Sequence, residues 1–261
     1  MHILASSDLA TSVSNISVAV VSTAVVLLIG LVMTAILTKR RASYKKPLFT
    51  LIATVVIVAT LALSGTAIVL NANSPTGGPV RWEADFQMWA CGNQLDLRDP
   101  RGVLTDRIGS PVLFERNDGR IHYSGTPIDL PQDASLGTFL RAVGGEINDN
   151  SLIFPINNDT GFMGTPDHPE YIEPYIGTNS EGTYVRFLSG QACGDEPASV
   201  QVFVYHFDEL TDTYNQRKIT HPAEYEIRHK DGVPPGDCII IEFAPEMSRT
   251  NHLCQSYQEA T

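Results

Sequence analysis

Two long stretches without a charge, separated by nine residues that carry five positive ones, constrain this chain more than any other feature. Residues 16–37 and 47–70 hold no Asp, Glu, Lys or Arg over 22 and 24 positions. A bilayer core takes roughly 20 apolar residues at the helical rise, so each run is long enough to span. Both are rich in β-branched residues, which suit a helix poorly in water. In lipid the backbone must satisfy its own hydrogen bonds, and a helix does so within one segment. Neither run has the polar face that a core helix of a soluble protein shows. The intervening residues 38–46 contain Lys39, Arg40, Arg41, Lys45 and Lys46, whereas residues 1–15 and 71–80 contain no Lys or Arg. The positive-inside bias therefore puts the short loop in the cytoplasm and both termini outside. A cleaved signal peptide calls for a positive first segment and a shorter apolar one. The expectation is a two-pass anchor in a cell membrane, with residues 1–15 as a short outer N-terminus.

Charge divides the chain at the end of this anchor. Residues 1–78 carry five Lys/Arg against one acid, and residues 79–261 carry 13 against 28. That partition excludes a soluble cytoplasmic enzyme spread over the whole chain. It also excludes a nucleic-acid partner, because an acidic domain repels phosphate backbones. Neither span holds an ionisable residue of the kind a coupled transport path uses.

Residues 71–79 (NANSPTGGP) read as a linker. Residues 80–247 read as one folded domain with an irregular insertion at about 146–199, and residues 248–261 as a polar tail. Strand signals dominate the domain. Residues 80–91 lead into a Gly92-Asn93 turn and a return over 94–97, and residues 112–116 and 120–123 flank Asn117-Asp118-Gly119. Residues 184–188, the alternating 200–205, 224–228 and 237–243 are further strands, the last two joined by KDGVPPG. One helix stands out, with Leu136, Phe139, Leu140 and Val143 at i, i+3, i+4 and i+7. Ser135 or Asp133 can cap its start, and Gly144-Gly145 stop it. The fold class expected is a two-helix transmembrane hairpin joined to an α+β ectodomain, mainly β sheet with one helix packed on one face.

Cys91, Cys193, Cys238 and Cys254 all lie beyond the spans. An even number in an oxidising compartment predicts two disulfides, with three pairings open. No Cys-x-x-Cys is present. The seven histidines show neither His-x-His nor His-x3-His spacing, which would set two imidazoles on one face for a metal. The runs around Asp208, Glu209 and Asp212, and around 148–150 and 157–159, lack the spacing of a calcium loop. No nucleophile elbow, phosphate loop or His-Glu-x-x-His motif occurs. Trp82, Phe86 and Trp89 read as core or membrane-interface aromatics.

The segment 80–97 (VRWEADFQMWACGNQLDL) resembles the signature of a group of uncharacterised, membrane-anchored prokaryotic proteins. Their ectodomains open with Val-His-x-His-Ala-Asp-Phe, a Gly-centred hairpin and an Asp. Two further pieces of that pattern are an Ile-His-x-His followed by a Ser/Thr-Leu-Gly-x-Phe helix, and a closing Gly-Asp turn and strand. Here they correspond to Ile121-His122-Tyr123-Ser124 with Ser135–Phe139, and to Gly236–Ile241. The resemblance covers about half of the ectodomain and implies a β-grasp-like sheet. The first-strand histidines of the family fall on Arg81 and Glu83, and only His122 remains of the second pair. The Arg81–Glu83 spacing of i, i+2 suits a structural pair on one strand face.

These residues predict a non-enzymatic binding or structural module of the cell envelope. It is held at the lipid bilayer, needs no cofactor, and contacts another envelope or surface protein. The helical anchor also allows a homo-oligomer. One alternative is a ligand or metal sensor built on His122, Glu83 and Asp85. The other is an envelope enzyme whose catalytic groups meet only in space.

Overall fold

The computed structural model describes residues 3–37, 45–100, 106–158, 161–208, 211, 213–227 and 236–258. Lys39, Arg40 and Arg41 of the cationic loop, residues 230–235 of the KDGVPPG turn, and Asp159, Glu209 and Asp212 lie outside the described residues. The chain divides into two compact units, residues 1–79 with 126–129, and residues 80–125 with 130–261.

The first unit contains helices α1 (Ile3–Leu37) and α2 (Lys45–Asn73). Both are longer than their charge-free runs, and both are long and apolar enough to cross a membrane, over Ser12–Leu37 and Lys45–Asn73. Several of their hydroxyl groups are satisfied within the helix. Ser17, Thr34, Thr54 and Thr60 each donate to the carbonyl four residues back, which suits a solvent without hydrogen bonds. The Ser17 hydroxyl also lies 3.3 Å from that of Thr66, joining the two helices at one polar point.

The second unit is built on a mixed eight-stranded sheet. Its strands are β1 (Val80–Ala90), β2 (Asn93–Leu95), β3 (Ile108–Gly109), β4 (Leu113–Glu115) and β5 (Arg120–Gly125). A second, antiparallel sheet consists of β6 (Glu146–Ile147), β7 (Ser151–Ile156), β8 (Ile176–Asn179) and β9 (Gly182–Leu188). A short β10–β11 pair (Ala192–Cys193 and Glu196–Pro197) precedes β12 (Ser199–Asp208), β13 (Thr213–Ile219) and β14 (Cys238–Ala244) of the main sheet. The main order is β13-β12-β14-β1-β5-β4-β3, with β2 paired to β1. The central pair, β1 and β14, is parallel and its other neighbours are antiparallel.

Three sequence expectations shift. The first turn is Cys91-Gly92 rather than Gly92-Asn93, because both central residues take positive φ (49° and 80°) and Ala90 pairs with Asn93. A two-residue turn of that handedness matches strand twist, and glycine suits its second position. Of the strand expected over residues 224–228, Glu224 instead ends a 3-10 turn started by Pro222, and Glu226 makes an isolated bridge to Ser135. The region read as an irregular insertion holds the second sheet, where Leu152, Phe154, Ile156, Val185 and Phe187 are buried.

Helices α3 (Leu130–Asp133) and α4 (Leu136–Val143) follow β5. Ser135 caps α4 by accepting from the Thr138 amide, and Gly144 closes it in the left-handed conformation. All four stripe residues of α4 are buried. Gly137 is required by packing, since a Cβ there would stand 2.7 Å from the Ala223 carbonyl oxygen. The inner face of the main sheet (Ala84, Phe86, Met88, Ile121, Ile239, Ile241 and Phe243) joins α4 and the second sheet in one core. Phe86 meets Phe139 edge-on at 5.3 Å.

Strand alternation sends Arg81, Glu83, Asp85, Gln87 and Trp89 of β1 to the outer face. Over β14, β12 and β13 that face is covered by the chain after β14, which ends in α5 (Gln255–Gln258). A second cluster of Phe203, Cys238, Ile240, Cys254 and Tyr257 forms beneath it. The four cysteines pair as Cys91–Cys193 and Cys238–Cys254, and the second bond ties this strap to the strand it covers.

Candidate functional site

The other half of the outer face, over β1, β5 and β4, brings together the three residues singled out from sequence. Register places Glu83 opposite His122 and Asp85 opposite Arg120, and puts His122 opposite Phe114 on its other side. Side chains at such positions share one face of the sheet.

The cluster is organised around a guanidinium. Arg120 Nε lies 2.8 Å from Asp85 Oδ1, and its Nη1 is 3.7 Å from Glu83 Oε2. Glu83 also faces Arg81 Nε at 3.5 Å and His122 Nδ1 at 3.4 Å. His122 Nε2 lies 2.9 Å from Asp118 Oδ2, within the hairpin that precedes β5. Burial raises the Asp85 carboxyl above its usual range, against the opposing pull of the Arg120 charge. Glu115, buried beside the same hairpin, is also raised by burial while its Oε1 accepts the Asp118 and Gly119 amides at 2.7 and 3.2 Å.

Glu83, Asp85 and His122 therefore meet, but around a fixed positive charge that competes with a metal cation for both carboxylates. No group of three or more His, Cys, Asp or Glu is placed to hold a metal among the described residues. Arg81 and Glu83 form the same-face pair that their spacing suggests. Arg120 was not singled out by sequence reasoning, although its place beside the Asn-Asp-Gly turn is a local signal for a strand start opposite β1.

Two cavities flank this ladder. The larger, about 490 Å³, is lined by Asp85, Asp96, Glu115, Asp118 and Arg120 together with Met88 and Met163. Asp96 within it is raised by burial and by the neighbouring Asp99 charge. The Asn157 amide donates to both of these carboxylates at 3.1 and 3.2 Å. The smaller cavity, about 230 Å³, is lined by Arg81, Arg107, Phe114, Arg116, His122 and Ser124 among others.

A separate cluster lies where β12 meets the start of β14. His206 Nδ1 is 2.5 Å from Asp237 Oδ1, and the Tyr225 hydroxyl donates to Asp237 Oδ2. Asp237 is buried, and both its oxygens are engaged. This arrangement orients an imidazole beside a cavity of about 370 Å³. No serine, threonine or cysteine lines that cavity among the described residues.

The three aromatics of β1 divide between faces and neighbours. Phe86 enters the inner core, Trp82 leans against Tyr123 at 5.6 Å, and Trp89 stacks flat on His252 at 3.7 Å in the covered half of the outer face.

No protein-family model matches the chain, and neither a curated protein nor a solved structure is significantly similar to it.

Proposed function

We propose that this chain is a membrane-anchored binding module of the cell envelope, non-enzymatic, with its folded domain outside the membrane and in contact with another surface protein. In this reading residues 38–46 face the cytoplasm and both termini lie outside. The observation that carries it is the placement of the cysteines. All four are in the acidic unit, joined in two bonds at Cα separations of 5.3 and 5.7 Å, and neither long apolar helix has one. Stable disulfides belong to oxidising compartments. The five bases concentrated between the helices support the same orientation.

The ectodomain is read as β-grasp-like. Reduced to β1, β5, α4, β12 and β14, its order β12-β14-β1-β5 with a parallel central pair supports that reading. A binding role draws support from a ladder of charged groups held chiefly by one another beside two cavities.

Protease treatment of intact cells carrying a C-terminal tag tests the orientation. The tag is expected to be removed without lysis, and protection until lysis overturns the proposal. Crosslinking on intact cells followed by purification tests the partner. The same envelope protein is expected in repeated preparations, and recovery of this chain alone overturns that part.

A further inference from the structure

We propose that Arg81, Arg107 and Arg116 form a binding site for a phosphate-type oxyanion on the outer face of the main sheet, at its β1–β5–β4 half. The three side chains line one cavity of about 230 Å³. They converge there although residues 79–261 carry more than twice as many acids as bases.

Crowded positive charge explains why an anion is wanted. Arg107 and Arg116 flank the last pair of the β3–β4 ladder, Ile108 with Glu115, and both reach the ring of Phe114. Like charges held near one another repel, and an anion between them relieves that repulsion. Among the described residues neither Arg107 nor Arg116 forms an ion pair. Among the described residues Arg81 makes one ion pair, with Glu83 at 3.5 Å, and that carboxylate is shared with Arg120 and His122. The carboxylates of the ladder are thus drawn to Arg120 and His122, and the cations at Phe114 are left in excess.

Both cations are positioned by the same ring. The Cζ atoms of Arg107 and Arg116 lie 4.9 and 5.1 Å from the centroid of Phe114, which is buried and packed against His122 at 5.4 Å. Contact with a ring face restrains a guanidinium and leaves its N–H edge free to donate. A tetrahedral phosphate with several acceptor oxygens can take forked donation from more than one guanidinium at once. Arg81 follows the end of α2 by eight residues. A phospholipid headgroup and a free phosphate share the chemistry this pocket reads.

The test uses the full chain in a neutral maltoside detergent, with unfolding of the folded domain followed by its two tryptophans. Inorganic phosphate is compared with chloride at matched ionic strength. In parallel, the chain is reconstituted in nanodiscs of phosphatidylglycerol or of phosphatidylcholine. A midpoint rise of about 2–4 °C is expected where the oxyanion is near saturation. Response to phosphate in detergent and in both nanodiscs assigns a free anion. A rise in phosphatidylglycerol that phosphate does not increase assigns the headgroup. R107Q/R116Q is expected to lose the response and, without phosphate, to melt no lower than wild type, because two neighbouring like charges are gone. R81Q, altering a side chain that is 71% exposed, is expected to weaken the response and serves if the double variant does not fold. A wild-type chain that responds to neither phosphate nor phosphatidylglycerol overturns the site, as does a response undiminished in the variants. None of these readouts depends on which side of a membrane the domain occupies.

Discussion

The two halves of the outer sheet face start from the same strand and reach opposite solutions. Over β14, β12 and β13, Glu242 lies under the strap at 1% exposure, and one of its oxygens takes both the Thr250 hydroxyl and His252 Nδ1. Around it Tyr205 and Gln216 donate to the Thr250 carbonyl at 3.1 and 2.8 Å, and Tyr257 donates to the Gly236 carbonyl at 2.7 Å. Over β1, β5 and β4, Glu83 is 23% exposed, with Arg81, Arg120 and His122 around it. A buried carboxylate must be paired through specific hydrogen bonds or it is too costly to keep. A partly hydrated one can be shared loosely, since water screens each contact. The half under the strap therefore holds its carboxylate through directed hydrogen bonds, and the other half shares its carboxylates among ion pairs.

Substitution at Glu242 should separate the halves most sharply. Glu242→Ala is expected to cost about 3 kcal/mol, because it removes the acceptor of the buried Thr250 hydroxyl and of the half-buried His252 imidazole and leaves a void. Chemical denaturation of the detergent-solubilised chain, read by tryptophan fluorescence, measures it. A cost below 1 kcal/mol would show that the strap is only draped over the sheet.

Cutting the tether is expected to have a similar effect. The Cys238–Cys254 bond closes 16 residues, for which chain entropy gives about 3 kcal/mol. In the Ser/Ser variant, hydrogen exchange should rise at residues 247–258 first and leave α4 protected. Equal loss of protection in α4 would mean that the strap and the inner core unfold together.

Glu83→Ala on the open half is expected to cost less than about 1 kcal/mol, since its ion pairs are long and partly exposed. A cost equal to that of Glu242→Ala would abolish the distinction between the halves.

The smallest effect expected is a pH dependence at Glu115. Its folded pKa is raised, so the folded state holds that proton more tightly than the unfolded chain does. The corresponding stability is full below about pH 4, the unfolded range, and is lost as pH rises through the folded value. Glu115→Gln keeps an oxygen for the Asp118 and Gly119 amides but cannot ionise. It should therefore gain stability relative to wild type, by a few tenths of a kcal/mol or more, between pH 4 and 7. A difference that does not change with pH would show that this carboxylate titrates alike in both states.

Legibility followed the range of each signal. The stripe of α4, with Ser135 before it and Gly144 after it, was readable because capping and helical period are local. So were β1, β5 and β12, whose alternation decides which residues face inward. β13 (TYNQRKI) was not, because a polar edge strand lacks an apolar alternation, and β7 was obscured by Pro155 and its polar flanks. At the candidate site, Glu83, Asp85 and His122 were visible as chemical types. Their engagement with Arg120 depends on the β1–β5 register, which pairs residues 35 to 39 positions apart.

What the amino-acid order determined by itself is the pair of membrane-length apolar helices, the acidic folded unit that follows them, and the local turns and caps. Each arises from neighbours within a few residues, where charge, periodicity and backbone freedom act directly. Only the tertiary structure decided the cysteine pairing, the strap over one half of the sheet, and the two arginines gathered at Phe114. Those depend on strand order and register, and chain segments far apart must meet before their charges can attract or repel.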